Sequence, residues 1–245
     1  MINNWYEKWF GNEYLAVYAH RNEDEARQLV HLILTYINLD IKAKIIDLCC
    51  GQGRHATLFA KEGFEVYGFD LSKTLLQVAK YKNNQSDNTF FIQADMRYLP
   101  AVHSFDLLLN LFTSFGYFET DSENKIVFEQ FHQVLKPGGY FVFDYFHTPH
   151  VLANLERYQS EQIGDLIVEQ ERFIEGSRVQ KIIRLNREGK KSTFYESVKM
   201  YNSEQILKMM EETNLSVRYI FGDYLGSPLS EESERIIIIG QKEQD

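Results

Sequence analysis

The sequence is poor in cysteine and in long apolar segments. Only Cys49 and Cys50 occur among 245 residues, and adjacent cysteines are unsuited to a structural disulfide and fit no zinc spacing. No run of about eighteen apolar residues is present, so the sequence offers no membrane-spanning helix. The first residues also lack the charged-then-apolar pattern of a signal peptide. These absences predict a protein of a reducing cytoplasm, without a metal site and without a membrane partner.

Basic residues are fewer than acidic ones. The 26 Lys and Arg against 35 Asp and Glu give a formal net charge of −9. Because proteins that bind a polyanion usually carry a basic surface, this balance argues against a nucleic-acid partner. One basic segment, residues 181–191, alternates charged with apolar residues and ends at a glycine turn. That pattern is typical of a solvated strand face and a hairpin tip.

The most informative segment runs from Lys44 to Ala56. An apolar stretch that contains Asp47 leads into two glycines, Gly51 and Gly53, and a helical pattern then begins. This order predicts a buried parallel strand, a turn and a helix N-terminus, which together bring backbone close to a nucleotide-like ligand. Glycine has no Cβ, so the chain can turn sharply and a ligand can lie directly against it. Asp47 is then expected at the carboxyl end of the strand, where ligands of open α/β sheets bind.

Two classes of cofactor fit this turn. The segment Gly51-Gln-Gly53-Arg-His-Ala56 matches the dinucleotide fingerprint, and Asp70 closes the next strand at the distance of a ribose-binding acid. S-adenosylmethionine (SAM) uses the same glycines and the same acid, but it also requires an acid before the glycines and another after the third strand. Asp47 and Asp95 supply these two. A helix cap or a turn is the alternative role for Asp95 alone, whereas three acids at three successive strand ends favour SAM.

Helical and strand patterns alternate along the first 148 residues. Short apolar segments separated by helices predict a parallel sheet that is covered on both faces. The predicted strands are 44–49, 64–70, 89–93, 105–110 and 140–145. The predicted helices are about 22–39, 54–62, 72–83 and 121–135, and Ser72 is the expected N-cap of the third.

The pattern changes after the fifth strand. Residues 149–200 alternate with a period of two and carry charged faces, which predicts three antiparallel strands inserted into the chain. We expect these strands at 167–174, 179–185 and 193–201. A helix at 203–213 with Ser203 as its cap, and strands at 216–224 and 235–240, then resume the α/β pattern. The expected core therefore consists of residues 1–148 and 201–245.

These motifs resemble those of the class I SAM-dependent methyltransferases over nearly the whole chain. The glycine turn, Asp70, residues 94–96, the strand 105–110 and the segment 135–139 occur in that family's order. The family often has glycine at the position of Cys49, where a small residue still fits. The resemblance implies a Rossmann-like, doubly wound α/β fold with a mostly parallel seven-stranded sheet and an inserted antiparallel β subdomain. The last strand of the sheet is then antiparallel and lies between its neighbours.

The resemblance also implies individual roles toward SAM. Backbone at residues 49–53 would face the methionine part, Asp70 would bind both ribose hydroxyls and Leu71 would pack on the adenine. Asp95 would accept from the adenine amine, and residues 110–112 would lie near the sulfonium. The residues expected at the cofactor are Tyr18, Asp47, Cys49, Gly51, Gly53, Arg54, Asp70, Leu71, Asp95, Met96, Asn110, Leu111 and Phe112.

The N-terminal segment, about residues 1–40, corresponds to a lid over the cofactor in similar enzymes. Tyr14, Tyr18, His20 and Arg21 lie in it. The i, i+4 spacing of Tyr14 and Tyr18 equally fits a helical stripe that packs against the core.

The acceptor is expected near the ends of the fourth and fifth strands. Tyr117 follows the fourth strand, and His147 and His150 follow the fifth, which makes these three the catalytic candidates. Asp144 and Tyr145 end the fifth strand on the same rim and deserve equal weight. The inserted strands arise beside this rim, so we expect them to recognise the substrate; a dimer face or a simple cover is the alternative.

Three classes of function remain open. A methyltransferase that acts on a small molecule by in-line displacement is favoured. An RNA or protein methyltransferase is the alternative, although Asn110-Leu-Phe-Thr stands where such enzymes carry an N-P-P-Y type motif. A non-catalytic SAM-binding protein is the third class. The expected partner is a small-molecule methyl acceptor, and the expected assembly is a monomer or a homodimer.

Overall fold

The computed structural model describes residues 4–18 and 23–243, so the predicted lid residues His20 and Arg21 lie outside the described residues. The helices are α1 (Trp5–Trp9), α2 (Asn12–Val17), α3 (Glu23–Tyr36), α4 (Arg54–Lys61), α5 (Lys73–Lys82), α6 (Asp121–Val134), α7 (Thr148–Ala153) and α8 (Ser203–Glu211). The strands are β1 (Lys44–Leu48), β2 (Glu65–Asp70), β3 (Thr89–Gln93), β4 (Phe105–Asn110), β5 (Leu135–Phe146), β6 (Tyr158–Ile163), β7 (Leu166–Glu175), β8 (Arg178–Arg187), β9 (Lys190–Lys199), β10 (Leu215–Phe221) and β11 (Arg235–Lys242).

Seven of the strands form the central sheet, in the order β10-β11-β5-β4-β1-β2-β3. β1 to β5 pair in parallel, whereas β11 runs antiparallel to both of its neighbours, β5 and β10. The predicted Rossmann-like sheet with an inserted antiparallel last strand is therefore confirmed. The strand order reverses between β1 and β4, and ligands of open α/β sheets bind at the carboxyl ends of strands at such a switch point.

The central sheet is buried on both faces. Along β4, Leu108 packs in one apolar cluster, while Leu107 and Leu109 pack in the cluster on the opposite face. All three side chains are fully buried. Because a strand covered on both faces needs apolar residues at every position, its sequence is a continuous apolar run. This property made the central strands predictable.

A second sheet has four antiparallel strands in the order β6-β7-β8-β9. The expectation of an inserted antiparallel unit is confirmed, but the expected number of three strands is wrong. β6 is an edge strand with the sequence YQSEQI, and its side chains alternate between exposed and half-buried. A strand with so little apolar character carries too weak an alternation to be recognised from the sequence.

Of the two predicted helix N-caps, Ser72 is correct and Ser203 is wrong. The Ser72 side chain caps α5 by accepting from the Leu75 N–H at 3.1 Å. The predicted cap Ser203 is instead the first residue of α8, which Asn202 and Gln205 close as a capping box. No helix within residues 4–18 and 23–243 is long and apolar enough to cross a membrane.

Candidate cofactor and acceptor site

A cavity of about 680 Å³ lies at the carboxyl ends of β1, β2 and β4. Its size is within the range of small-molecule and cofactor sites. Of the residues expected at the cofactor, the cavity is lined by Tyr18, Asp47, Cys49, Gly51, Arg54, Asp70, Leu71, Asp95, Met96, Leu111 and Phe112. Gly53 and Asn110 do not line it. The fold thus brings most of this set to one place.

The turn after β1 is built from left-handed backbone. Cys49, Gly51 and Gly53 have φ angles of 61°, 55° and 76°. A Cβ on Gly51 would have only the Leu75 side chain within 4 Å, whereas a Cβ on Gly53 would lie 2.8 Å from the Phe91 ring. Gly51 therefore leaves space at the cavity, and Gly53 allows α4 to pack closely. Cys49 adopts the left-handed conformation without being glycine, which costs about 1–2 kcal/mol.

Asp70, at the end of β2, receives two backbone hydrogen bonds. Its carboxylate accepts from the N–H groups of Gly51 and Ser72, each at 2.8 Å. Burial raises the pKa of Asp70, and these two hydrogen bonds oppose that shift. The side chain thus ties the glycine turn to the end of the neighbouring strand and carries a carboxylate at the cavity.

Asp47 is almost completely buried, with 2% of its surface exposed. Its carboxylate accepts from the Ala56 N–H at 3.2 Å, in the first turn of α4. Burial raises the pKa of Asp47 to about 7; the nearby Asp70 charge adds to the shift, and the Ala56 hydrogen bond and the Arg54 charge oppose it. Asp47 is therefore partly protonated at neutral pH.

We expect the Asp47→Asn variant to gain stability relative to the wild type as the pH rises. The folded protein holds the Asp47 proton up to about pH 7, whereas the unfolded chain loses it near pH ~4. The stabilising effect of the protonated Asp47 side chain on the wild type is therefore fully present below about pH 4. It is lost as the pH rises through 7. Thermal unfolding at pH 5 and pH 8 should show the difference between variant and wild type increasing by an amount on the order of a few kcal/mol.

The Asp95→Asn variant is a control, because its stability should depend on pH in the opposite direction. Partial burial alone would raise the pKa of Asp95, but hydrogen bonds from the Arg97 side chain and backbone, with the Arg97 charge, lower it. The stabilising contribution of Asp95 is present above the unfolded pKa and lost as the pH falls. The stability deficit of Asp95→Asn should therefore shrink toward low pH. An Asp47→Asn difference that does not change with pH would contradict the assignment.

Asp95 both lies at the cavity and closes a turn. It lines the cavity, and its Oδ1 accepts from the Arg97 N–H at 2.9 Å, which closes a turn. Its other oxygen pairs with the Arg97 guanidinium at 2.7 Å.

The segment after β4 is held in a rare backbone conformation. Phe112 and Thr113 have φ angles of 57° and 62°, which for such side chains is strained. The fully buried Asp144 carboxylate accepts from the Phe112 N–H at 2.8 Å and from Arg235 Nε at 2.5 Å. Arg235 Nη2 also donates to the Thr113 hydroxyl at 3.1 Å. The Asp144–Arg235 pair therefore clamps the loop that carries Phe112 into the cavity.

Tyr224 completes this clamp, and sequence reasoning missed both Tyr224 and Arg235. The Tyr224 hydroxyl donates to Asp144 at 3.0 Å, and its ring stacks on Phe112 with centroids 5.9 Å apart. Arg235 stands at the start of an apolar strand, and an acid inside the apolar run of β5 was the available signal for a buried partner. Asn110 does not line the cavity, and its amide nitrogen donates to the Ser114 carbonyl at 3.3 Å.

The three catalytic candidates differ in whether they lie at the cavity. Tyr117 and His150 line the cavity, but His147 does not. His147 Nδ1 lies 2.9 Å from the Ser233 carbonyl, and the side chain is buried there. Burial raises the pKa of Tyr117 well above its usual value, so its hydroxyl keeps its proton at neutral pH.

The N-terminal helices α1 and α2 cover the cavity with aromatic side chains. Those lining it are Trp5, Tyr6, Phe10, Tyr14 and Tyr18. Trp5 meets Tyr117 edge-on with centroids 4.9 Å apart, and the Ser72 hydroxyl donates to the Phe10 carbonyl at 2.5 Å. Tyr14 and Tyr18 pack on each other at 5.0 Å, so they combine the packing role with a place at the cavity.

The four-stranded sheet also contributes to the cavity. Lys181 and Glu196 line it and pair at 2.7 Å. Lys181 Nζ donates to the Tyr18 hydroxyl at 3.0 Å, and Trp9 Nε1 donates to Glu196 at 2.7 Å. For Lys181, the interpretation as part of a solvated strand face is wrong, because its side chain is only 18% exposed. This polar cluster joins the N-terminal helices to the inserted sheet.

Comparison with known proteins shows similarity to methyltransferases. The sequence model described as "Methyltransferase domain" matches residues 45–139, the segment from β1 into β5. A relative from Geobacillus sp. (strain WCH70) is named as a methyltransferase. It is 28% identical over 218 residues, which cover 81% of this chain and 84% of the relative. These similarities support a class I SAM-dependent methyltransferase. This chain spans only 44% and 62% of the length of two other curated methyltransferases that it matches.

Solved methyltransferases share the fold. A SAM-dependent methyltransferase from Clostridium acetobutylicum superposes with a TM-score of 0.83 at 20% identity, covering 95% of this chain and 98% of its own. SAM-bound CalS10, an amino pentose methyltransferase from Micromonospora echinaspora, superposes with a TM-score of 0.70 at 18% identity, covering 94% and 97%. These similarities support SAM as the cofactor.

The chemistry of the cavity fits SAM. Asp47 and Asp70 are carboxylates whose pKa burial raises, and neither forms an ion pair with another described residue. A ligand with cationic groups and hydroxyl donors offsets that cost, and SAM carries both. The space at Gly51 and the apolar Leu71 and Met96 supply surface for the rest of the cofactor. In the described part of the chain, no cluster of three or more His, Cys, Asp or Glu side chains is suited to a metal ion.

Proposed function

We propose that this methyltransferase transfers a methyl group from SAM to a small-molecule acceptor. The observation that carries the proposal is the cavity itself, which α1 and α2 cover on one side and the inserted sheet on another. About 680 Å³ has to accommodate the cofactor together with the acceptor, which leaves space for a small molecule. The similarity to an amino pentose methyltransferase supports the same class of acceptor.

The roles of individual residues follow from their positions. We assign Asp70 to the ribose hydroxyls, Leu71 and Met96 to the adenine, and Asp95 to the adenine amine. Backbone at residues 49–53 faces the methionine part, and Phe112 lies near the sulfonium. In this assignment the Asp144–Arg235 clamp acts on the cofactor indirectly, by holding Phe112.

Catalysis by this chain consists mainly of positioning and of excluding water. SAM, when bound, supplies a methyl group that is already activated for in-line displacement. Holding the reactants in line can lower the barrier by up to about 7–11 kcal/mol. The aromatic side chains of α1 and α2, together with Tyr117, exclude water from the cavity. For an acceptor that must lose a proton, we assign His150 as the base, since it is the histidine candidate that lines the cavity.

The inserted residues 149–200 are proposed to recognise the acceptor, since the inserted sheet supplies one side of the cavity. Both cysteines are free thiols, which suits a reducing cytoplasm. We propose that compartment as the site of action.

Calorimetry and a turnover assay test the proposed function. We expect SAM and its demethylated product, S-adenosylhomocysteine, to bind and NAD to give no heat. With a panel of small amines, amino sugars, hydroxy acids and phenols, SAM should be converted to S-adenosylhomocysteine. Turnover with RNA or protein alone would favour the macromolecular alternative, and SAM binding without turnover on any of these would favour a non-catalytic SAM-binding protein.

A further inference from the structure

We propose that Arg172, next to Lys181 on the inserted sheet, forms an anion-binding point that recognises a carboxylate or phosphate group on the methyl acceptor. The inference rests on the proposed function, because it concerns the acceptor side of the same cavity. It specifies the acceptor class further, as a small molecule with an anionic group.

The strand register places three charged residues in one row. Arg172 of β7 lies opposite Lys181 of β8, and Lys181 lies opposite Glu196 of β9. All three line the cavity. Like charges directly opposite each other destabilise a sheet, so the Arg172–Lys181 pair is costly unless an anion lies between or beside them.

Glu196 neutralises only one of the two cations. One of its oxygens pairs with Lys181 at 2.7 Å, and the other accepts from Trp9 Nε1 at 2.7 Å. No carboxylate of the described residues pairs with Arg172. The row therefore presents one excess positive charge to the cavity.

Arg172 is held in place without being neutralised. Its Nη2 donates to Gln170 at 2.7 Å and to Gln159 at 3.0 Å, and its Nη1 donates to the Glu156 carbonyl at 3.4 Å. Gln170 is itself buried, with 3% of its surface exposed. An arginine has five N–H donors in a rigid fork, so two remain after these three bonds. One of these is on Nε and the other on Nη1, and each can donate a charge-assisted hydrogen bond to an oxygen of an anion.

Two exposed arginines of the same sheet behave differently. Arg184 pairs with Glu171 at 2.8 Å, and Arg187 pairs with Asp165 at 3.4 Å. Both pairs are about half exposed. The sheet thus supplies carboxylate partners for its exposed arginines, while the arginine at the cavity has neutral partners only. Arg178 on β8 also has only neutral partners, but hydroxyl and carbonyl oxygens take up its Nε and both of its Nη atoms. Arg172 lines the cavity and keeps N–H groups for an acidic partner from outside the chain.

Calorimetry at low ionic strength tests the anion-binding point. The protein is saturated with S-adenosylhomocysteine and titrated with inorganic pyrophosphate and, separately, with malonate. We expect the wild type to bind at least one of these anions, and the preferred anion distinguishes a phosphate from a carboxylate source. Arg172→Gln should weaken that binding roughly 10- to 100-fold, the loss of a charge-assisted hydrogen bond, while Arg172→Lys should retain part of it.

Two further variants separate recognition from general charge effects. Arg184→Gln removes the same charge from the other side of the sheet and should leave anion affinity unchanged. Glu196→Gln keeps an acceptor for Trp9 but removes the only carboxylate of the row, so it should tighten anion binding, a result that damage to the fold would not produce. Thermal unfolding checks that each variant is folded.

Several outcomes would overturn the inference. These are no binding of either anion to the wild type, equal weakening by Arg172→Gln and Arg184→Gln, or unchanged affinity in Arg172→Gln. A lack of S-adenosylhomocysteine binding would instead refute the proposed function, and the anion titrations can then still be carried out on the cofactor-free protein.

Discussion

Asp144→Ala is expected to destabilise the protein by about 3–5 kcal/mol, because it leaves Arg235 as a charge without its partner inside the protein. The Asp144 side chain is fully buried and accepts three hydrogen bonds, from Phe112, Tyr224 and Arg235. The variant should also weaken SAM binding, since the strained Phe112–Thr113 backbone loses its clamp. Chemical denaturation measures the first effect and calorimetry the second.

An exposed ion pair serves as the control for Asp144. Glu171→Ala removes the same charge from a pair with Arg184 that is about half exposed, and it should cost less than about 1 kcal/mol. Replacing Arg235 with Leu in the Asp144→Ala background should restore part of the lost stability, because the unpaired charge is then removed. If Asp144→Ala were as mild as Glu171→Ala, the clamp would not have the role assigned to it.

Gly51→Val is expected to abolish SAM binding, with a loss in affinity of roughly 100-fold or more. The residue has a φ of 55°, and a Cβ there would extend into the cavity with only Leu75 near it. A branched side chain would therefore occupy space assigned to the cofactor, and overpacking a closely fitted site costs about 1–3 kcal/mol before any lost contacts are counted. Calorimetry with SAM measures the effect.

Gly164→Val is the matched control for Gly51→Val. Gly164 lies in the turn between β6 and β7 with a φ of 60° and no heavy atom within 4 Å of an added Cβ. Both substitutions strain a left-handed backbone to a similar extent, about 1–2 kcal/mol, so both should lower the melting temperature. SAM affinity should be lost only in Gly51→Val; an equal loss in both would place the cofactor elsewhere.

The local sequence was sufficient for the central sheet and for most of the predicted residues that line the cavity. The strands β1 and β4 are buried on both faces, so their apolar runs are continuous. Asp47 lies within such a run, Asp70 ends one, and Gly51 and Asp95 follow one at short range. Because parallel strands end at the same edge of a sheet, residues that follow them are brought together whatever the rest of the chain does.

Short and polar elements could not be predicted in the same way. The helices α1, α2 and α7 have five or six residues each, too few for a helical period to be recognised, and such helices depend on tertiary packing. β6 carries few apolar residues. His147 was a reasonable candidate from its position after β5, but its ring is turned to the Ser233 carbonyl, which no sequence pattern indicates.

The sequence by itself determined the α/β class, the glycine turn and the acids at the ends of β1, β2 and β3, because each of these depends on neighbouring residues. Only the tertiary structure decided which polar groups pair around the cavity. Arg235 reaches Asp144 across 91 positions, Glu196 reaches Trp9 across 187, and Lys181 reaches Tyr18 across 163. The partners of these polar groups come from different sheets and helices. A charge that looks solvated in the sequence becomes part of a cavity only when distant elements pack against it.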